Sequence, residues 1–141
     1  MTNRFVLAAL AGMLTIAVMG GVLYGVIFAR FFHANIINLG IMKTPPAFGW
    51  IALSHVPFGI LLALVVRWRG DLSARGGAIA GAVLGFLMAM SYNLAQFGTV
   101  EHWTLQLTLV EPFITMTMVG TAGAVVGGIL AREAPSVRVS Q

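Results

Sequence analysis

Four stretches of the chain are almost unbroken runs of apolar residues, at about 5–29, 47–66, 76–97 and 112–131. Each reaches the roughly 20 residues that a helix needs to cross a bilayer. Alternation of apolar and polar residues with period two is missing, which argues against a membrane β-barrel. The pattern predicts an all-α fold: an integral membrane bundle of four helices packed through glycine, in one domain over 1–132. The polar residues 133–141 are expected to form a flexible cytoplasmic tail.

Composition agrees with this pattern. Of 141 residues 59% are hydrophobic and 9% charged, with a mean hydropathy of +0.95. Such a chain has too few polar groups to cover a soluble globule and too many apolar ones to stay disordered. It has no cysteine, so disulfides, thiolate metal sites and thiol catalysis are excluded. The first apolar run exceeds the 7–15 residues of a signal-peptide core and is expected to be retained.

Charge sets the orientation. Arg4, Arg67, Arg69, Arg75, Arg132 and Arg138 fall on one side of the predicted spans, and Arg30 and Lys43 on the other. The positive-inside rule then places both termini in the cytoplasm of a cell with an inner membrane. The formal net charge of +4 belongs to this topology, and nucleic acid is not an expected partner. Trp50, Trp68 and Trp103 lie near predicted boundaries, where indole rings favour the membrane–water interface.

Turn chemistry marks the connections. The outward loop 30–46 is itself rich in apolar residues, among them Phe31, Phe32, Ile36, Ile37 and Met42, and ends at Pro45-Pro46. Proline suits a first helical turn, so Pro46 and Pro112 are expected to open spans two and four. Small residues recur at four-residue spacing, which keeps each set on one helical face. They are Ala17, Gly21, Gly25 and Ala29 in span one, and Gly77, Gly81 and Gly85 in span three. Span four holds Gly123 with Gly127, and Gly120 beside them. Such faces allow close backbone approach in lipid, where hydrophobic association is weak. They serve packing within one bundle or, alternatively, homodimerisation.

The polar residues inside the spans carry the candidate chemistry. On the predicted topology Tyr24, His55, Tyr92, Asn93, Gln96 and Glu111 fall in one layer of the outer half, over a dry, glycine-rich inner half. His55 lies about 10–12 Å below the outer end of its span at 1.5 Å per residue. Polar side chains in a bilayer are costly and usually turn inward to pair with one another. Each also has a plainer role. Glu111 precedes Pro112 and would serve as a helix cap, and His55 would bond nearby backbone or Asn93. Ser91, Tyr92 and Asn93 are adjacent and point in different directions, whereas Asn93 and Gln96 can share a face.

No cofactor or metal is expected. His33, His55 and His102 are the only histidines, and only His55 lies within a span, so a bis-histidine haem lacks a second axial ligand. His33, Glu101, His102 and Glu111 show no tight metal-ligand spacing. Nucleophile elbows, zinc-protease motifs and phosphate-binding loops are absent.

The segments GGVLYGVIFARFF-x-x-N, GIMKTPP, GAVLGFLMAMSYNLAQFGT and LVEPFITMTMVGTAGAVVGGIL together resemble a family of small uncharacterised bacterial membrane proteins with four spans. The resemblance implies fold and location and carries no activity. It also implies an Asp-Leu step where this chain has Asn93-Leu94, and an aspartate before proline where it has Glu111-Pro112.

Two function classes compete. One is a non-enzymatic structural, accessory or lipid- and small-ligand-binding module with a polar pocket in the outer half; its partners are membrane lipids, a second copy or a larger membrane complex. The other is a small oligomeric transporter or channel coupling protons or cations through Glu111 and His55. Transport needs a polar path to both sides, and Thr15, Thr117 and Thr121 alone would line its inner part. A third class, an enzyme on lipidic substrates with His55 or Glu111 as base, has no supporting spacing.

Overall fold

The computed structural model describes residues 3–36, 43, 45–101 and 103–132. Within them the chain is helical: α1 (Asn3–Val22), a π-helical segment (Leu23–Ile27), α2 (Ala29–Asn35), α3 (Phe48–Arg69), α4 (Ala74–Thr99) and α5 (Leu105–Ala131). Four helices are long and apolar enough to cross a membrane: α1 with the π segment, α3, α4 and α5. Leu14, Val26, Leu87 and many other large apolar side chains lie exposed on the outer surface, as a surrounding hydrocarbon requires.

Local signals set most boundaries. Helix α3 stops where Gly70 adopts φ +82, the left-handed conformation that only glycine takes without strain. Helix α4 starts at the Ser73 cap, whose hydroxyl accepts from Gly76 N at 2.9 Å. Helix α5 starts at the Thr104 cap, which accepts from Leu107 N at 3.1 Å.

Two expectations change here. Pro112 does not open the fourth span. That helix begins seven residues earlier, at Leu105, because Thr104 supplies the cap and the proline is carried inside. The outward loop does not begin at Arg30 either. After the π segment the chain continues as α2 to Asn35, and Phe31 and Phe32 are half-buried on it. Ile37, Met42 and the tail 133–141 lie outside the described residues.

Helix α5 is the centre of the molecule. It contacts α1, α2, α3 and α4, and 56% of its apolar window is buried against 22–28% for the other three long helices. Its tightest partner is α4. A methyl group added at Gly77 would run into the carbonyl oxygen of Gly123, one at Gly123 into that of Gly77, and one at Gly127 into that of Ser73. Gly81 meets the carbonyl of Val119, and Gly85 would place its methyl 2.7 Å from Val119 Cβ. At these positions the two backbones touch, and only a hydrogen fits between them.

Helix α1 uses a different face from the one its spacing suggests. Its buried residues are Phe5, Ala8, Ala9, Gly12 and Ile16. A methyl at Gly12 would lie 2.8 Å from Val126 of α5, and one at Gly59 of α3 would lie 2.7 Å from the Ala9 carbonyl. Span two, which showed no small-residue face in the sequence, thus makes its close approach through one glycine. Among the described residues Gly21 and Gly25 meet nothing within 4 Å. The close approach of α1 to α3, Gly59 against Ala9 and Met13, lies nearer the end that carries Arg67. The Arg67 guanidinium lies 5.8 Å from the centre of the Phe5 ring, at that end.

These distances give a paired prediction. Gly123→Leu forces a side chain into backbone and should destabilise the protein by about 1–3 kcal/mol. Gly21→Leu should change stability by less than about 0.5 kcal/mol. Thermal unfolding in detergent, followed by circular dichroism, compares the two.

Candidate functional site

A carboxylate stands in the interior of an apolar helix at Glu111. It lies six residues into α5, about 9 Å from the helix start at 1.5 Å per residue. Its expected role as a helix cap is thereby replaced, since Thr104 fills it. In a bilayer such a group must find donors within the protein.

It finds three. Tyr24 Oη donates to Oε1 at 2.5 Å, and Thr115 Oγ1 donates to the same oxygen at 2.6 Å. The two hydroxyl oxygens lie 2.7 Å apart. Asn93 Nδ2 donates to Oε2 at 2.6 Å. Thr115 sits one turn beyond Glu111 on α5, so the i,i+4 spacing brings it to the carboxylate directly. The other two donors come from the π segment and from α4.

Asn93 is 1% exposed and uses both ends of its amide. Nδ2 also donates to the Ala89 carbonyl at 2.8 Å, and Oδ1 accepts from Trp103 Nε1 at 3.2 Å. With donors and acceptors so arranged, the amide has one orientation. A continuous chain of hydrogen bonds therefore runs Tyr24–Glu111–Asn93–Trp103. Beside it Thr104 Oγ1 donates to Asn35 Oδ1 at 2.8 Å, and Ile36 and Trp103 form an antiparallel bridge. The end of α2 and the connection before α5 are thus latched together over the network.

The π segment positions Tyr24. Phe28 N donates to the Leu23 carbonyl at 2.8 Å, a bond five residues long. Such a turn carries one extra residue and rotates the rest of the helix about its axis. Gly20, Gly21 and Gly25 surround it, and glycine lowers the cost of leaving α-helical geometry. The Tyr24 ring is steadied by Phe32, with ring centres 4.8 Å apart.

The six expected pocket residues do not share one cavity. Tyr24, Asn93 and Glu111 are joined. His55 is not bonded to them: its Nδ1 lies 2.5 Å from the Ile51 carbonyl of its own helix. A carbonyl only accepts, so Nδ1 is the protonated nitrogen there. Pro57, two residues on, leaves the Leu53 carbonyl without its helical donor, and the ring bonds one turn back from His55 itself. Tyr92 is 58% exposed and stacks edge-on with Trp103 at 6.1 Å. Gln96 is half-buried and is not among the donors to the carboxylate.

Open space lies beside the network. A groove of about 610 Å³ runs between the diverging parts of α1 and α3. Gly21 and Gly25 form one wall, Ile51 and Ala52 the other, and the rings of Tyr24 and His55 face into it. Tyr24 therefore has two sides. Its hydroxyl is spent on Glu111, while its ring lines the groove.

Toward the arginine end the polar lining stops. Thr15 donates to the Ala11 carbonyl at 2.8 Å, Thr117 to Phe113 at 2.9 Å and Thr121 to Thr117 at 2.8 Å, all within their own helices. Thr117 and Thr121 also lie on the exposed surface. Among the described residues no group of three or more histidine, aspartate or glutamate side chains is placed to hold a metal.

Sequence reasoning missed Trp103, Thr104 and Asn35 as partners. Thr104 was readable as a cap before LQL, and it would have moved the start of α5 to its observed place. The contacts of Asn35 and Trp103 depend on how two loops meet, and no spacing encodes that.

The network predicts an order of effects. Asn93→Leu keeps the volume but strands Glu111 Oε2 and Trp103 Nε1, and should cost about 1–3 kcal/mol. Tyr24→Phe leaves Oε1 its bond from Thr115 and should cost only about 0.5–1.5 kcal/mol. Thermal midpoints in detergent rank the variants, and Trp103 emission should change in Asn93→Leu and not in Tyr24→Phe.

A family model described as "Predicted membrane protein (DUF2177)" matches residues 5–128. No curated protein and no solved structure matches the chain.

Proposed function

Taking as premise that the chain belongs to the DUF2177 family of predicted membrane proteins, we propose that it is a non-enzymatic binding module that holds one lipid-like or small apolar ligand. The binding place is the groove between α1 and α3, not the polar network itself. The observation that carries this reading is the open space at Gly21 and Gly25, where none of the described residues lies within 4 Å of an added methyl. A groove of about 610 Å³ is large enough for a ligand of drug or acyl-chain size.

The network serves the groove as its rigid back. Glu111 and Thr115 hold the Tyr24 hydroxyl, Asn93 braces the carboxylate from its other oxygen, and together they fix the ring that lines the cavity. A buried network with all its members bonded is stiff. The carboxylate needs no ligand to satisfy it.

The module sits in a cytoplasmic membrane with both termini inside. Arg4, Arg67, Arg69, Arg75 and Arg132 gather at one end of the long helices, which favours that end as the cytoplasmic one. The groove then opens in the outer leaflet. Packing of α4 on α5 through glycine keeps the inner half closed.

Transport through Glu111 and His55 is the rival reading. Glu111 and the chain of bonds from Tyr24 to Trp103 favour it, but His55 bonds its own backbone, and the threonines further inward, Thr15, Thr117 and Thr121, bond their own helices.

Gly25→Leu should fill the groove without unfolding the protein, and native mass spectrometry should then lose the co-purified lipid that the wild type retains. Proton-coupled flux in proteoliposomes that Glu111→Gln abolishes would replace this reading with the transport one.

A further inference from the structure

The groove does not end in uniform hydrocarbon. At the start of α3 it meets a second depression of about 400 Å³, lined by Lys43, Pro46, Ala47, Trp50 and Ile51. The two cavities share Pro46 and Ile51. One surface therefore runs from the exposed ammonium of Lys43, past the indole of Trp50, over Ile51 and down to Tyr24 and His55.

The order of chemistry along this path is that of a lipid. A cation comes first, then an indole that is 72% exposed, then an apolar trough walled by glycine. Indole rings settle at the headgroup level of a bilayer. Lysine attracts phosphate as a compact point charge. The trough is apolar apart from His55 and the ring edge of Tyr24, whose hydroxyl is already bonded. It suits a hydrocarbon tail and offers little to a polar one.

We propose that this surface is a site for one anionic glycerophospholipid, with its phosphate at Lys43 and one acyl chain in the groove beside Gly21 and Gly25. The assignment rests on the reading of the groove as a ligand site and adds the class of ligand. Charge complementarity decides the occupant. A second copy of this chain packed on the glycine wall would cover the groove, whereas a lipid answers both the trough and the lysine at its mouth.

The test uses the full-length protein in nanodiscs and reads quenching of Trp50 by lipids brominated on the acyl chain, with Trp50→Phe giving the background of the other two tryptophans. Brominated phosphatidylglycerol diluted into phosphatidylcholine should quench Trp50 more than brominated phosphatidylcholine at the same fraction, with a preference of roughly fivefold, the size expected for one lysine near an anionic surface. Lys43→Gln should remove the preference and leave residual quenching. Gly25→Leu should remove the excess quenching for both lipids.

Equal quenching by the two lipids in the wild type, with Gly25→Leu still effective, would overturn the anionic assignment and leave a groove that takes any chain. Quenching that Gly25→Leu does not alter would overturn the groove reading itself. So would a dimer in nanodiscs or detergent that Gly25→Leu dissociates, because the occupant would then be a second copy.

Discussion

A carboxylate placed in hydrocarbon has to be met from within the protein, and much of this structure depends on how Glu111 is met. Its own helix supplies one donor, Thr115. The others must come from neighbours, which requires α4 and the π segment to lie against α5 at one height. Removing the carboxylate's partners would leave a buried charge in a medium that cannot solvate it. The requirement therefore ties three parts of the chain together at one end, as the glycine contacts tie α4 to α5 along the rest of its length.

These two constraints divide the molecule. Toward the arginine end, backbones approach until carbonyl oxygens face glycine hydrogens, and side chains scarcely intervene. Toward the other end, polar side chains set the spacing, and α1 leaves α3. The groove is the result. Helix α1 cannot both follow α3 along its whole length and bring Tyr24 to Glu111 on α5. The π turn at Leu23–Ile27 carries Tyr24 itself.

The fold was largely legible in the sequence, because the run length of apolar residues alone separates the four long helices. The polar layer was legible in part. Depth counting brought Tyr24, Asn93 and Glu111 to one level, and they meet. The same counting brought in His55, Tyr92 and Gln96, because depth says nothing of rotation about the helix axis. His55 turns to its own backbone, and Tyr92 and Gln96 sit apart from the carboxylate on the helix that delivers Asn93. The glycine faces failed for a related reason. Four-residue spacing marks a smooth stripe, and it marks one equally well whether a helix or an empty groove lies opposite. In α4 and α5 the stripe met a partner, and at Gly21 and Gly25 it met none among the described residues.

That last difference bears on what a small-residue stripe means in a membrane helix. At Gly77 and Gly123 each residue answers the other, so a change on one side needs a change on the other. At Gly21 and Gly25 nothing among the described residues demands glycine by contact. Glycine in a helix interior costs about 0.5–1 kcal/mol relative to alanine, and two such residues one turn apart, on the wall of a groove, bear that cost with no internal contact to offset it. Part of their role is conformational, easing the π turn that carries Tyr24. On the other side they form a wall of the groove into which the ring of Tyr24 faces, while its hydroxyl stays bonded to Glu111.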